Sequence, residues 1–431
     1  MHIRRSLTVL GLLMLISGCM PLDPYRVSRD IPPASNGQLP TQSDFHPERT
    51  QECKGARCVN FVEFDEFGNA ESRRQLEAAL SAADTVTKND GVVVVYVHGW
   101  HHTARPKDKD VANFLDLVFG AESKEEKPIV GIYVGWRSDS IDSDVSLFKP
   151  LSYGLTFWDR KATAHNIGNG GGVSELIRSL SDSRNQRAEA RLMVIGHSFG
   201  GAIVYSSISQ GVAEQIRRDA QNSSAYPPIA DLVVLVNPAF EAMRLQSLYS
   251  FSRNLEYADA QRPRLMIVTT KADIPTRAVF PLGRRLGTLF QSYPDDYSQD
   301  QDVTAIGHYE PFITHQLKLS NCEAEQPKFT LEGAGRPLSM CFKNGVQSLL
   351  LTRCDTDKDC DDVTDGHYII RGPAGNFIPH RFPIYNIRTT ESVMDGHVDI
   401  WNPRMKFFLF SLLEEVQHPE RLPMIERTQN R

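Results

Sequence analysis

The feature that most constrains the fold of this 431-residue chain is a run of six apolar residues, Val92–Val97. Five of the six are valine, and an unbroken β-branched run is typical of a strand that is buried on both faces of a parallel sheet. Similar runs recur along the chain. The predicted strands are Val59–Phe64, Gly91–Val97, Ile129–Val134, Leu192–Ile195, Leu232–Val236, Leu265–Thr269 and Pro383–Ile387.

Stretches with helical periodicity lie between most of these runs. The predicted helices are Asn69–Thr85, Asp110–Phe119, His165–Leu180, Gly200–Ala220, Ala242–Leu248 and Arg404–Val416. Strands that alternate with helices predict an α/β fold, with a mainly parallel sheet and helices on both of its faces. Ligands bind at the carboxyl ends of the strands in such sheets, so the functional residues are sought there.

A short glycine-flanked motif, G-H-S-F-G, occupies Gly196–Gly200. It follows a predicted strand and precedes a predicted helix, which is the setting of a nucleophile elbow. The flanking glycines allow neighbouring backbone to approach closely. Ser198 is therefore the candidate nucleophile, and the alternative is a glycine-rich turn with an inactive serine.

A second motif, V-H-G-W at Val97–Trp100, directly follows the valine-rich strand. Together the two motifs resemble those of the α/β-hydrolase superfamily, and more narrowly its serine esterases and lipases. The resemblance runs from about Gly91 to the C-terminus. It implies an oxyanion hole formed by the backbone N–H groups of Trp100 and Phe199, and it does not define a substrate.

The acid and the base are expected after the nucleophile in the chain, in that order. Asp273 follows a late strand, where the superfamily carries its acid, and Glu241 is the alternative acid. His397 lies after the last predicted strand and before the final helix, which favours it as the base. His308 is the alternative base, and His367 is a third candidate.

These residues predict hydrolysis of a carboxylic ester through an acyl-enzyme, by a mechanism that needs neither a metal nor an organic cofactor. His101 and His102 are too few to indicate a metal site. A net charge of −6 without a basic run argues against nucleic acid as a partner. The alternative function is a binding or interaction lipoprotein that kept the fold and lost catalysis. The sequence does not predict an oligomeric state.

The N-terminal sequence predicts an export signal, because Arg4 and Arg5 precede a short apolar run, Leu7–Ile16. The segment Leu15–Cys19 resembles a bacterial lipobox, in which the cysteine is lipidated. The resemblance predicts a protein anchored by lipid at Cys19 to a membrane of the bacterial cell envelope, with the outer membrane favoured. The alternative is a plain signal peptide in which the cysteine is incidental.

The predicted organisation is therefore a signal peptide (1–18), a flexible tether (19–51) and a hydrolase domain (52–431). An insertion at about 317–383 interrupts the domain and carries four cysteines, which suggests a disulfide-stapled lid. With the lipidated cysteine set aside, six cysteines remain, and an even number in an oxidising compartment suggests disulfides. Pairing of neighbours is the simplest of fifteen connectivities. It gives Cys53–Cys58, Cys322–Cys341 and Cys354–Cys360.

Overall fold

The computed structural model describes residues 24–27, 47–120, 127–139, 149–221, 228–258, 261–319, 339–343, 348–354 and 382–417. The predicted signal peptide, most of the predicted tether and the predictions on Cys19, Cys322, Cys360 and His367 lie outside these residues. No helix in the described ranges is long and apolar enough to cross a membrane.

The described residues form one sheet of eleven strands. They are β1 (Gln51–Lys54), β2 (Arg57–Phe64), β3 (Val92–Val97), β4 (Ile129–Trp136), β5 (Arg191–His197), β6 (Leu232–Val236), β7 (Leu265–Thr270), β8 (His315–Leu319), β9 (Ser339–Lys343), β10 (Ser348–Arg353) and β11 (Ile384–Thr389). The α-helices are α1 (Pro47–Thr50), α2 (Arg73–Thr87), α3 (Lys109–Gly120), α4 (Lys149–Asn169), α5 (Gly172–Asn185), α6 (Phe199–Ala220), α7 (Met243–Arg253), α8 (Phe280–Gly287), α9 (Asp296–Val303) and α10 (Pro403–Gln417). A π-helical turn, Pro275–Val279, leads into α8.

The strand order across the sheet is β1-β2-β4-β3-β5-β6-β7-β11-β8-β10-β9. The eight strands from β2 to β8 in that order are parallel, and β1, β10 and β9 pair antiparallel at the two edges. The α/β fold predicted from the sequence is therefore confirmed. Strands β3, β5, β6, β7 and β11 lie side by side, so the loops that follow them meet at one edge of the sheet.

Both faces of the sheet are covered by helices, which explains the unbroken apolar runs. Along β3, Val93, Val95 and Val97 belong to the core beneath α2, α4, α5 and α6. The alternate residues Val94 and Tyr96 belong to the core beneath α3 and α10. Successive side chains of a strand point to opposite faces, so a strand between two helical layers needs apolar residues at every position.

The predicted helix His165–Leu180 is wrong as a single element, because two helices, α4 and α5, meet inside it. Gly171 has a φ of +99°, a backbone conformation that side chains with a Cβ rarely adopt. A Cβ on Gly170 would lie 1.8 Å from the carbonyl oxygen of Phe67. The glycines therefore allow the chain to turn sharply against a neighbouring loop.

The described parts of the cysteine-rich stretch are strands. β8 pairs with β11, and β10 joins β8 to β9, so these residues extend the sheet at its edge. The prediction of a lid does not hold for these parts. Cys53 and Cys58 form the predicted disulfide. Cys354 is also disulfide-bonded, and its predicted pairing with Cys360 falls outside the described residues.

Part of the predicted tether is packed on the domain. The backbone N–H groups of Tyr25 and Arg26 donate to the carboxylate of Glu63, and the Arg26 guanidinium lies 3.6 Å from the centre of the Phe61 ring. Arg26 is buried and also pairs with Glu52. The prediction of a flexible tether is therefore wrong for these residues, since a buried arginine fixes the chain where it lies.

Candidate active site

Ser198 stands on the sharp turn between β5 and α6. Its backbone has φ 55° and ψ −120°, a strained conformation that costs a non-glycine residue about 1–3 kcal/mol. The turn is held from both sides, because the Ser198 N–H donates to Val236 O and the Ser198 carbonyl accepts from the Ala239 N–H. A Cβ on Gly200 would lie 2.2 Å from Val97 O, so this position admits only glycine without a rearrangement.

A chain of two hydrogen bonds links the predicted nucleophile, base and acid. His397 Nε2 lies 2.7 Å from Ser198 Oγ, and His397 Nδ1 lies 2.9 Å from Asp273 Oδ1. Ser198 follows β5, Asp273 follows β7, and His397 lies in the loop after β11, the neighbour of β7. The parallel register of these strands therefore explains how residues 199 positions apart in the chain meet.

Asp273 is completely buried, which favours a neutral carboxyl group. Burial alone would raise the pKa of Asp273, but the electrostatic interaction and hydrogen bond with His397 and the hydrogen bonds of Thr276 bring it below its usual value. The Thr276 N–H donates to Asp273 Oδ1 at 3.0 Å. The carboxylate is thus held ionised beside the imidazole.

The two alternative residues lie elsewhere. Glu241 forms ion pairs with Lys161 at 2.6 Å, Arg244 at 2.8 Å and Arg284 at 3.2 Å. Burial opposes its ionisation, but Lys161 and Arg244 lower the pKa of Glu241 to about 2. Its partners are cations rather than His397, so the structure does not bring it to the candidate site.

His308, the alternative base, contacts Thr276 rather than Ser198. Its Nε2 lies 2.9 Å from Thr276 Oγ1, and burial lowers the pKa of His308 to about 4. Because Thr276 also donates its N–H to Asp273 Oδ1, His308 is linked to the candidate acid through this threonine. A histidine with this pKa is neutral at pH 7.

The loop that follows β3 lies against the nucleophile. A Cβ on Gly99 would lie 3.0 Å from Ser198 Cβ and 2.7 Å from His197 Nδ1. This close approach explains the glycine in the V-H-G-W motif and brings the backbone of Trp100 to the same edge as Ser198. Phe199 begins α6, where the N–H groups of the first turn have no partner within the helix.

His98 fixes this loop from beneath. The Trp136 N–H donates to His98 Nε2 at 3.1 Å, so the ring proton is on Nδ1, which donates to Gly99 O at 2.8 Å. The Trp136 indole N–H also donates to His98 O at 2.9 Å. Burial lowers the pKa of His98 to about 4, and the neutral ring thus holds the Gly99 carbonyl in one orientation.

Two residues that sequence reasoning did not assign hold the loop of His397. His197 Nε2 lies 2.9 Å from His397 O, and Asn237 Nδ2 donates to the same oxygen at 3.0 Å. Asn237 also accepts the Thr270 N–H through its Oδ1. A polar residue at the carboxyl end of a parallel strand was the available signal for Asn237, which directly follows β6.

The Trp100 side chain packs against aromatic residues of α4 and α6. The Trp100 ring centre lies 5.4 Å from that of Phe157, which lies 5.0 Å from that of Phe199. Farther along the loop that follows β3, His101 pairs with Asp139 at 2.7 Å and His102 with Asp108 at 3.0 Å. In the described ranges, no group of three or more His, Cys, Asp or Glu side chains has the arrangement of a metal site.

No protein-family model matches the sequence, and no curated protein matches it. Phospholipase PlaB from Legionella pneumophila in complex with thio-NAD is similar at 14% identity and a TM-score of 0.24, covering 61% of this chain and 49% of that chain. The chain thus spans about half the length of the phospholipase. TT1662 from Thermus thermophilus is similar at 14% identity and a TM-score of 0.20, over 48% of this chain and 76% of that chain.

An arginase from Medicago truncatula reaches the same TM-score of 0.20 at 10% identity, over 48% of this chain and 80% of that chain.

Proposed function

We propose that the protein is a serine hydrolase that cleaves carboxylic esters through a covalent acyl-enzyme. The observation that carries this proposal is the hydrogen-bonded chain from Ser198 Oγ through His397 to Asp273. A serine hydroxyl is a weak nucleophile until a base takes its proton, and a base needs a partner that fixes its tautomer. The contacts around His397 meet both requirements.

In the proposed reaction, Ser198 Oγ attacks the ester carbonyl carbon while His397 Nε2 accepts the hydroxyl proton. The N–H groups of Phe199 and Trp100 donate to the oxyanion of the tetrahedral intermediate, each contributing about 3 kcal/mol. His397 then protonates the leaving alkoxide as the intermediate collapses to the acyl-enzyme. A water molecule, deprotonated by His397, attacks the acyl carbon and releases the acid.

Asp273 supplies the charge that stabilises the imidazolium in both steps. Its lowered pKa keeps it ionised at neutral pH, and its Oδ1 holds the proton of His397 on Nδ1. The Nε2 atom therefore remains the acceptor that faces Ser198. The proposed chemistry uses these side chains, the two backbone N–H groups and water.

The apolar character of the proposed oxyanion loop, where the Trp100 ring packs on Phe157 and Phe199, favours an ester with an apolar acyl group. We further propose that the chain is anchored by lipid at Cys19 to a membrane of the bacterial cell envelope, with the outer membrane favoured. The order of charge, apolar run, small residues and cysteine in the sequence supports this anchor.

Labelling by a fluorophosphonate, which forms an adduct with an activated serine, tests the proposal. The full chain, produced where disulfides can form, is compared with Ser198→Ala, His397→Ala and His308→Ala. Labelling is expected in the parent and in His308→Ala, and its loss is expected in the other two variants. Hydrolysis of p-nitrophenyl esters of increasing chain length then measures the acyl preference.

A folded parent chain that is never labelled would refute the hydrolase mechanism and favour the binding lipoprotein. If His308→Ala lost labelling and His397→Ala kept it, His308 would be identified as the base instead of His397.

A further inference from the structure

The segment that follows Asp273 presents a continuous apolar face to solvent. Residues 274–290 contain six exposed large apolar side chains, with Phe290 97% exposed. This apolar face consists of Ile274, Val279, Leu282, Leu286, Leu289 and Phe290. Val279, Leu282 and Leu286 are spaced three and four residues apart, which places their side chains on one side of the π-helical turn and α8. Leu289 and Phe290 lie in the turn that follows α8. Exposed apolar patches of this kind mark interaction sites.

The opposite side of α8 is firmly attached to the domain. Phe280 is buried, and its ring centre lies 6.1 Å from that of Trp158. A Cβ on Gly283 would lie 1.8 Å from the Trp158 ring, so the helix approaches this ring as closely as glycine permits. Arg284 points inward and pairs with Asp302 and with Glu241. These contacts fix the orientation of the helix, and the apolar face therefore stays outward.

The apolar face is continuous with the candidate active site. Thr276, in the first turn of the segment, donates its N–H to Asp273 Oδ1 at 3.0 Å. Ile274, which directly follows the candidate acid, is 59% exposed, and Val398, which directly follows the candidate base, is 68% exposed. An exposed apolar side chain therefore follows directly after each of Asp273 and His397, the proposed acid and base.

The charge of the segment identifies the kind of partner that it suits. Residues 274–290 contain three arginines and no acidic residue, although the whole chain has a net charge of −6. Arg284 is neutralised by its acidic partners, which leaves Arg277 and Arg285 exposed beside the apolar face. In a symmetric contact between two copies, the same patch meets itself, so these cations would repel one another. A surface of lipid with anionic headgroups accommodates both the apolar side chains and the cations.

We propose that the apolar face docks on the surface of a phospholipid bilayer that contains anionic lipid, with Leu286 and Phe290 among the side chains that enter the lipid. Docking there would present membrane-resident esters to Ser198. The identification of the substrate as a membrane lipid rests on the proposed hydrolase function, whereas the docking itself does not.

The test uses the full chain and an environment-sensitive dye, NBD, attached to a cysteine introduced as Leu286→Cys. The matched control is Glu77→Cys, an exposed position on α2 outside the segment. The vesicles are phosphatidylcholine with or without phosphatidylglycerol, and they contain lipids that carry a nitroxide quencher in the acyl chain. The parent chain, treated with the same dye, gives the background from native cysteines.

Quenching is expected to be several-fold stronger at position 286 than at position 77, and stronger with phosphatidylglycerol than without it. The double variant Arg277→Glu with Arg285→Glu, carrying the dye at position 286, is expected to lose the dependence on phosphatidylglycerol. The midpoint of thermal unfolding shows whether each variant is folded. In a Ser198→Ala background the quenching is expected to be unchanged, so a failure of the hydrolase mechanism is distinguishable from a failure of docking.

Equal quenching at the two positions, or none at either, would overturn the proposal. So would a fluorescence change at position 286 that follows protein concentration and needs no lipid, because that result would assign the face to a second copy of the chain.

Discussion

Replacement of Asp273 by asparagine tests the central electrostatic interaction of the site with almost no change in shape. Asp273 Oδ1 accepts the Thr276 N–H and contacts His397 Nδ1, whereas no described residue donates a hydrogen bond to Oδ2. An asparagine would keep its oxygen at the Oδ1 position, because an NH₂ group placed there would face the Thr276 N–H, donor against donor. The tautomer of His397 would then be preserved and the negative charge removed.

The magnitude follows from that charge. The interaction of two unit charges about 4 Å apart is about 4 kcal/mol at an effective dielectric constant of 20. Since about 1.4 kcal/mol corresponds to a tenfold change in rate, losing this stabilisation of the imidazolium lowers kcat by about 10³. If the amide turned over and also reversed the tautomer, a loss of about 10⁴ would be typical.

The assay is the kcat/KM for a soluble p-nitrophenyl ester at neutral pH, with fluorophosphonate labelling as a second measurement. The control is Glu241→Gln, the alternative acid from the sequence. It is expected to keep its kcat/KM, while the uncompensated cation of Lys161 lowers the free energy of unfolding by about 3–5 kcal/mol. A loss smaller than tenfold in Asp273→Asn would show that its charge does not stabilise the imidazolium as proposed. A loss larger than tenfold in Glu241→Gln would contradict the choice of Asp273 as the acid.

Three further predictions concern the groups that support the site. Gly99→Ala places a Cβ 2.7 Å from His197 Nδ1, so the loop that carries the proposed oxyanion donor Trp100 must move, and kcat/KM for the soluble ester is expected to fall by about 10². Asn237→Ala removes a donor to His397 O and leaves the Thr270 N–H without its partner, and urea unfolding is expected to show a loss of about 1–3 kcal/mol. Because burial lowers the pKa of His98 from 6.5 to about 4, the unfolded chain binds a proton more readily than the folded chain. Stability is therefore expected to fall by about 3 kcal/mol as pH drops through this window, and urea titrations of His98→Asn should show a weaker pH dependence. An equal dependence in both chains would contradict this assignment.

Much of the fold could be predicted because a buried parallel strand has a simple signature. The run at Val92–Val97 is apolar at every position, since both faces of β3 are covered, and β6 was predicted with the bounds that it has. The break between α4 and α5 was missed although three consecutive glycines, residues 170–172, interrupt the apolar pattern there. Gly171 has a positive φ, and Gly170 approaches the Phe67 carbonyl too closely for a side chain, so the chain turns at these glycines.

The positions of Ser198, Asp273 and His397 at strand ends could also be predicted, because each follows an apolar run and the order along the chain restricts the choice. The sequence did not allow us to predict that Glu241 lies away from these three residues. Its sequence context also places it after a strand, and only the folded chain shows that Lys161, Arg244 and Arg284 surround it. Sequence order limits which residues can meet, but ion-pair partners from distant helices decide which carboxylate remains available.

The roles of His197 and Asn237 illustrate why the supporting residues of a site are harder to predict than its reacting residues. Both hold the carbonyl oxygen of His397, a backbone atom that no side-chain pattern identifies. His197 belongs to the elbow that carries Ser198, so the residue beside the proposed nucleophile also positions the loop of the proposed base. Burial lowers the pKa of His197 well below its usual value, and a neutral ring donates this bond without adding a charge that would oppose a protonated His397. The turn that carries Ser198 therefore also holds the loop of His397. Because the His197–His397 hydrogen bond joins the two segments, a displacement of one is expected to displace the other.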